Sequence, residues 1–104
     1  MVLIYVSLQK DAQASDVAEL LLKSRLANHI NIIHNIECMV YENDQITRSS
    51  ETILLIKTKA LLYKQIEEKL LNLQLQPAPK IFSAPMTQIE ADYHDYLLKD
   101  TIKV

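Results

Sequence analysis

The sequence predicts a single α+β domain, residues 1–104, with the element order β-α-β-β-α-β and a short closing helix. Three observations lead there. Branched apolar runs of strand length alternate with two stretches in which apolar residues recur every three or four positions. The two middle strand runs are parted only by the polar turn "ENDQ". The 104 residues are 49% apolar and 23% charged, enough to bury one core without disulfide or structural metal.

The elements follow in order. "VLIYVSL" (2–8) is a buried strand, rich in β-branched and apolar residues. "DAQASDVAELLLKSRLANH" is an amphipathic helix: Ala14, Val17, Ala18, Leu21, Leu22 and Leu26 share one face, and Asp11 is a suitable N-cap. Ile30 to Tyr41 and "ETILLIKTK" are the arms of a hairpin, with Asn43 and Asp44 as turn residues. A second amphipathic helix carries Leu62, Ile66, Leu70 and Leu73 on its apolar stripe, and Thr58 can cap it. Pro77 and Pro79 end that helix, "KIFSAPM" is a fourth strand bent or ended by Pro85, and "EADYHDYLLKD" is the closing helix.

This order is the split βαβ, or ferredoxin-like, arrangement: four antiparallel strands with both main helices on one face. Hairpin arms of about a dozen residues would reach roughly 40 Å. They overhang so small a sheet, and an exposed strand edge invites another chain. Oligomerisation through that edge is expected.

Composition excludes several functions. A net charge of −2 with no Lys/Arg cluster makes nucleic acid and anionic lipid poor partners. The absence of glycine removes Walker A, dinucleotide-fingerprint and kinase-type loops, and passes positions of positive φ to Asn and Asp. The only cysteine, Cys38, cannot form an intrachain disulfide, which fits a reducing compartment. The apolar run of "MVLIYVSLQK" is too short for a membrane span or a signal core, so the expected location is the cytoplasm.

"RLANHINIIHNIECMVYE" holds His29, His34 and Cys38, three ligand-capable side chains. On a regular strand His29 and His34 face opposite ways. His34 and Cys38 share a face but stand about 13 Å apart, far beyond metal–ligand reach. A bulge near Asn35 would alter that parity. The favoured expectation is that His29 ends a helix, His34 lies on the surface and Cys38 is half-buried. A site shared between symmetry-related copies is the alternative. A Cys38–His nucleophile pair lacks an orienting group, and His94, among Asp92, Asp95, Tyr93 and Tyr96, fits a solvated helix face.

"VLIYVS", "SRLANHINII", "ETILLIKTK", "PAPKIFSAPM" and "DYHDYL" together resemble the CutA family of divalent-cation tolerance proteins from about residue 2 to 98. The resemblance implies a tight, non-enzymatic homotrimer that pairs strand edges through the long hairpin, a link to copper tolerance, and copper or zinc as the ions to consider, with no cofactor required. The chain departs from the family pattern at several positions. Gln74, Leu75 and Gln76 stand at the family's His-Pro-Tyr, and Lys80 replaces its Glu. Val6 and His29 replace cysteines, Asp44 a glycine, and Glu42 and Tyr96 tryptophans. His29 alone keeps a ligand-capable side chain at such a position, where imidazole would favour Cu(II) or Zn(II) over Cu(I). Asn31, Lys57, Thr58 and Tyr93 match recurring family residues, and in a trimer they would line a cleft between subunits.

The trimer also resembles PII signalling proteins. The alternative function is therefore a binding module that recognises a small anionic effector or a partner protein at those clefts, with Lys57 and Lys80 mattering more than His29. An acylphosphatase-like enzyme would need a glycine-containing anion loop with a placed arginine, which "SLQKDAQAS" lacks. RNA binding would need paired aromatics on a basic sheet face.

Overall fold

A computed structural model describes residues 1–104. The chain folds as β1 (Val2–Leu8), α1 (Asp11–Lys23), β2 (Ile30–Glu42), β3 (Gln45–Thr58), a 3-10 turn (Ala60–Leu62), α2 (Tyr63–Asn72), β4 (Lys80–Pro85) and α3 (Ala91–Leu98). The strands form one sheet in the order β2-β3-β1-β4, and every pairing is antiparallel. This is the expected ferredoxin-like topology.

Alternation along the strands decides which face is filled. Ile4, Val6 and Leu8 of β1 and Leu54 and Ile56 of β3 join Ala14, Val17 and Leu21 of α1 and Leu62, Ile66 and Leu70 of α2 and the turn before it in one buried cluster. Each buried Val, Leu or Ile among them contributes about 1.5–3 kcal/mol of burial. Leu73, expected on the same stripe, lies beyond the end of α2 and is exposed.

Two expected caps serve other partners. Asp11 is the first residue of α1, after an N-cap Lys10 that makes no side-chain bond. Its carboxylate instead accepts from Thr52 Oγ1 at 2.7 Å and meets His34 Nδ1 at 2.5 Å. Thr58 ends β3 opposite Val2, and its buried hydroxyl donates to the Leu26 carbonyl at 2.6 Å. A partner distant in sequence is available to each, so neither side chain turns back to its own helix.

Without glycine, positive φ falls on Asn35, Asn43, Asp44 and Asp100, as expected, and also on Arg25 and Gln74. Asn43 and Asp44 form the two-residue hairpin turn between the paired Glu42 and Gln45. Arg25 closes α1: its N–H donates to the Leu22 carbonyl and that of Leu26 to the Leu21 carbonyl, a Schellman ending that glycine usually makes. Its Nε reaches the Asp100 carbonyl and its own carbonyl accepts from the Ile102 N–H, so the C-terminal segment holds this conformation in place.

The hairpin has the predicted overhang. β1 pairs with β3 only over Thr52–Thr58, so Gln45–Glu51 and the facing Ile36–Glu42 form a two-stranded ribbon beyond the four-stranded sheet. The molecule measures 46 × 29 × 21 Å. No helix is long and apolar enough to cross a membrane.

Candidate functional site

The β2–β3 register shifts between Ile33 and Ile36, where two β2 residues oppose one β3 residue and Asn35 takes φ 55°. This bulge decides the opening constellation. His34 turns to the helix side to meet Asp11, whereas Cys38, paired with Ser49, follows Ile36 on the opposite side. His34 and Cys38 therefore do not share a face, contrary to the regular-strand expectation. His29 lies in the connection preceding β2, and does not end α1 as expected, since that helix stops at Lys23. No three His, Cys, Asp or Glu side chains converge anywhere in the chain. His94 meets only its neighbour Asp95, at 3.7 Å on the surface.

Four of the residues expected to line a cleft lie near one end of the sheet, and they separate by face. Asn31 pairs opposite Leu55, which puts it diagonal to Lys57 on the side away from α1 and α2. Lys57 Nζ donates to Asn31 Oδ1. Thr58, one residue on, points into the core with its hydroxyl committed to Leu26, so the structure does not bring it to the other three. Tyr93 stacks on Tyr96 at 6.3 Å, and Tyr96 in turn meets the edge of the His29 ring at 6.2 Å. Tyr93 thus joins the cluster through Tyr96.

Docking of α3 assembles this corner. Asn28 Nδ2 donates to the carbonyls of Tyr96, at 2.5 Å, and Lys99, at 3.0 Å. Glu90 caps α3 by accepting from the Asp92 and Tyr93 N–H groups, which holds its carboxyl below the usual range. Tyr96 and Asn28 were not expected at the site; the one signal for Tyr96 was its place at a family tryptophan.

Two titratable groups of the corner are shifted. Burial lowers the Lys57 ammonium from its ordinary value. Burial and then the Lys57 charge lower the His29 imidazole. His29 Nδ1 is buried with no hydrogen-bond partner.

A second charged pair lies farther along the same side. Glu51, 7% exposed, accepts from Lys80 Nζ at 3.5 Å. Nearby, Tyr5 stacks on Phe82 at 4.6 Å, leaving Phe82 exposed on a sheet face that neither main helix covers. Gln74, Leu75 and Gln76 border a cavity of about 450 Å³ with Leu70, Leu71 and Pro79. No metal-ligating side chain contributes to it.

Comparison with known proteins places these features in context. The family model described as CutA1 divalent ion tolerance protein matches residues 2–100. The divalent-cation tolerance protein CutA of Thermus thermophilus is 22% identical over 98 residues, covering 94% of this chain and 95% of that protein. The CutA1 structure from Pyrococcus horikoshii superposes with a TM-score of 0.86 at 22% identity, covering 99% of this chain and 100% of that one. CutA1 from Oryza sativa gives 0.87 at 20% identity, covering 99% and 94%.

Proposed function

Because the chain belongs to the CutA1 divalent ion tolerance protein family, we propose that it is a non-enzymatic, cytoplasmic homotrimer that serves divalent-cation tolerance. The observation that carries the assembly is the overhanging ribbon. Met39, Tyr41 and Ile46 are 51%, 71% and 63% exposed on the ribbon, where β2 and β3 have only each other as partners. An edge of that length with that apolar content is stable in water when another chain covers it.

Direct ion binding constrains where the ligands come from. A Cu(II) or Zn(II) centre requires ligands from more than one subunit, since no three His, Cys, Asp or Glu side chains converge within a subunit. His29 is the side chain to test. The test is a calorimetric titration of metal-free protein with Cu(II) and Zn(II), repeated on His29→Ala, with solution mass measured in parallel. A trimer with stoichiometric binding lost in the variant supports a shared His29 centre. A trimer that binds neither ion refutes direct ion binding, and a monomer refutes the assembly.

Lys57, held by Asn31 on the sheet face that neither main helix covers, favours a second reading, a PII-like module that binds a small anionic effector.

A further inference from the structure

We propose that the thioether sulfurs of Met1 and Met86 and the imidazole of His94 form a binding site, within one subunit, for a soft monovalent cation, Cu(I). The site is separate from the shared His29 centre and does not depend on the trimer.

The β1–β4 register brings the two methionines together. Val2 pairs with Pro85, so Met1 stands opposite Met86, and the Met86 N–H donates to the Met1 carbonyl at 3.1 Å. Directly opposed residues of an antiparallel pair project to the same face, with Cβ atoms about 4.5–5.5 Å apart. Strand parity puts both side chains with Leu3 and Ala84, on the side away from α1 and α2. His94 arrives from α3, whose start is fixed by the Glu90 cap. Met1, Met86 and His94 line one cavity of about 270 Å³, completed by Thr87 and Ile89. All three are half-buried, so an ion reaches them from solvent. Methionine's three rotatable bonds let both sulfurs close on that ion without moving the strands.

The donor set selects the ion. Thioether sulfur is soft and neutral and favours Cu(I), whereas carboxylate and carbonyl oxygens favour Mg²⁺ or Ca²⁺. No carboxylate lines the cavity, so a hard divalent cation finds no compensating charge. Zn(II) takes thiolate, imidazole and carboxylate ligands, and His94 is the only such side chain in the lining. Asp95 Oδ1 lies 3.7 Å from His94 Nδ1, which favours the proton on that nitrogen and leaves the Nε2 lone pair for a metal. Ile89 adds a hydrocarbon wall, which suits a singly charged cation better than a doubly charged one.

The experiment is titration of the full-length protein with Ag(I), a redox-inert ion of the same charge and softness, and with Cu(I) under anaerobic conditions. It is followed by the methyl resonances of isotope-labelled methionine and by the imidazole resonances. The Met1 and Met86 methyls and the His94 ring should shift together and saturate, while Met39, on the ribbon, stays in place. Met86→Leu, which conserves volume, and His94→Gln should each weaken Ag(I) binding by about 10- to 100-fold or more, since loss of even an outer partner of a metal ligand costs that much. His29→Ala should leave the Met1 and Met86 shifts unchanged. Binding that is lost in His29→Ala and kept in Met86→Leu overturns this site while the shared centre stands. A wild type in which neither methyl shifts overturns it outright, as does a purified chain from which Met1 has been removed. Should Met86→Leu fail to fold, Ag(I) binding to the wild type that moves only one of the three side chains overturns the site by itself.

Discussion

Replacing Ile46 with serine tests the overhanging ribbon most directly. Ile46 is 63% exposed in the single chain and pairs only with Tyr41 across the hairpin. Burying a whole isoleucine contributes about 1.5–3 kcal/mol, so covering the exposed fraction contributes about 1–2 kcal/mol per subunit and about 3–6 kcal/mol per trimer. At about 1.4 kcal/mol per decade, the trimer association constant should fall roughly 100- to 10,000-fold. The Tyr41 contact within the hairpin is also lost, but such a cross-strand pair contributes about 0.2–1 kcal/mol and does not depend on protein concentration. Sedimentation velocity over a dilution series separates the two effects. Ile46→Ser should dissociate at concentrations where the wild type and Ile46→Val keep full mass. If all three keep the same mass and the same melting temperature at every dilution, Ile46 is not buried by a neighbouring subunit, and the reasoning from ribbon to assembly fails.

Other substitutions probe the frame and the site. Thr58→Val removes the buried hydroxyl that donates to Leu26 and should cost about 1 kcal/mol, lowering the melting temperature by about 4–8 °C in calorimetry at fixed concentration. Gln74→Gly should stabilise by about 0.5–1 kcal/mol, because φ is 52° there and the left-handed penalty exceeds glycine's added chain entropy; a lower urea midpoint would count against that account. Lys80→Ala removes the cation 3.5 Å from the Glu51 carboxylate and, with the lysine side chain 64% exposed, should cost about 1 kcal/mol or less, a loss that combining it with Glu51→Gln reduces in a double-mutant cycle. Asp11 has its carboxyl lowered from 3.8 by Thr52 and His34, so its contribution is present above that pH and lost as pH falls through the folded value. Asp11→Asn should therefore be less stable than wild type at pH 7, with the gap closing below about pH 4. His29 has a folded value below 6.5, so the unfolded chain takes up its proton first and stability falls as pH drops through about 6.5. His29→Gln should remove that step from urea midpoints measured across pH.

The element order was legible because period-2 and period-3.6 patterns survive in the residues that fill the core. Ile4, Val6, Leu54 and Ile56 alternate as a strand face must, and Val17, Leu21, Ile66 and Leu70 recur as helix faces must. The Asn43–Asp44 turn was legible for a local reason too, since these two residues tolerate positive φ better than others in a chain without glycine. The family resemblance, read from short stretches across the chain, agrees with the match over residues 2–100.

Capping was legible only as capacity. Asp11 and Thr58 have the side chains that cap helices, but each found a partner far away in sequence that a local reading does not contain: His34 and Thr52 for one, Leu26 for the other. The candidate site divides in the same way. Asn31 and Lys57 could be paired once the register was known. Thr58 was excluded by strand parity, and the neighbours Tyr96 and Asn28 met only when α3 docked 68 residues along the chain.

The residues alone determined the secondary-structure periods, the turn and the overhang, because these depend on spacing and on backbone conformations of a few adjacent residues. The tertiary structure decided the Asn35 bulge, and with it which way His34 and Cys38 face. It also decided the solvation of Lys57 and His29. A one-residue slip in register reverses a side chain's face, and burial of a charge depends on what packs over it. Both are set by distant chain segments brought together in the fold.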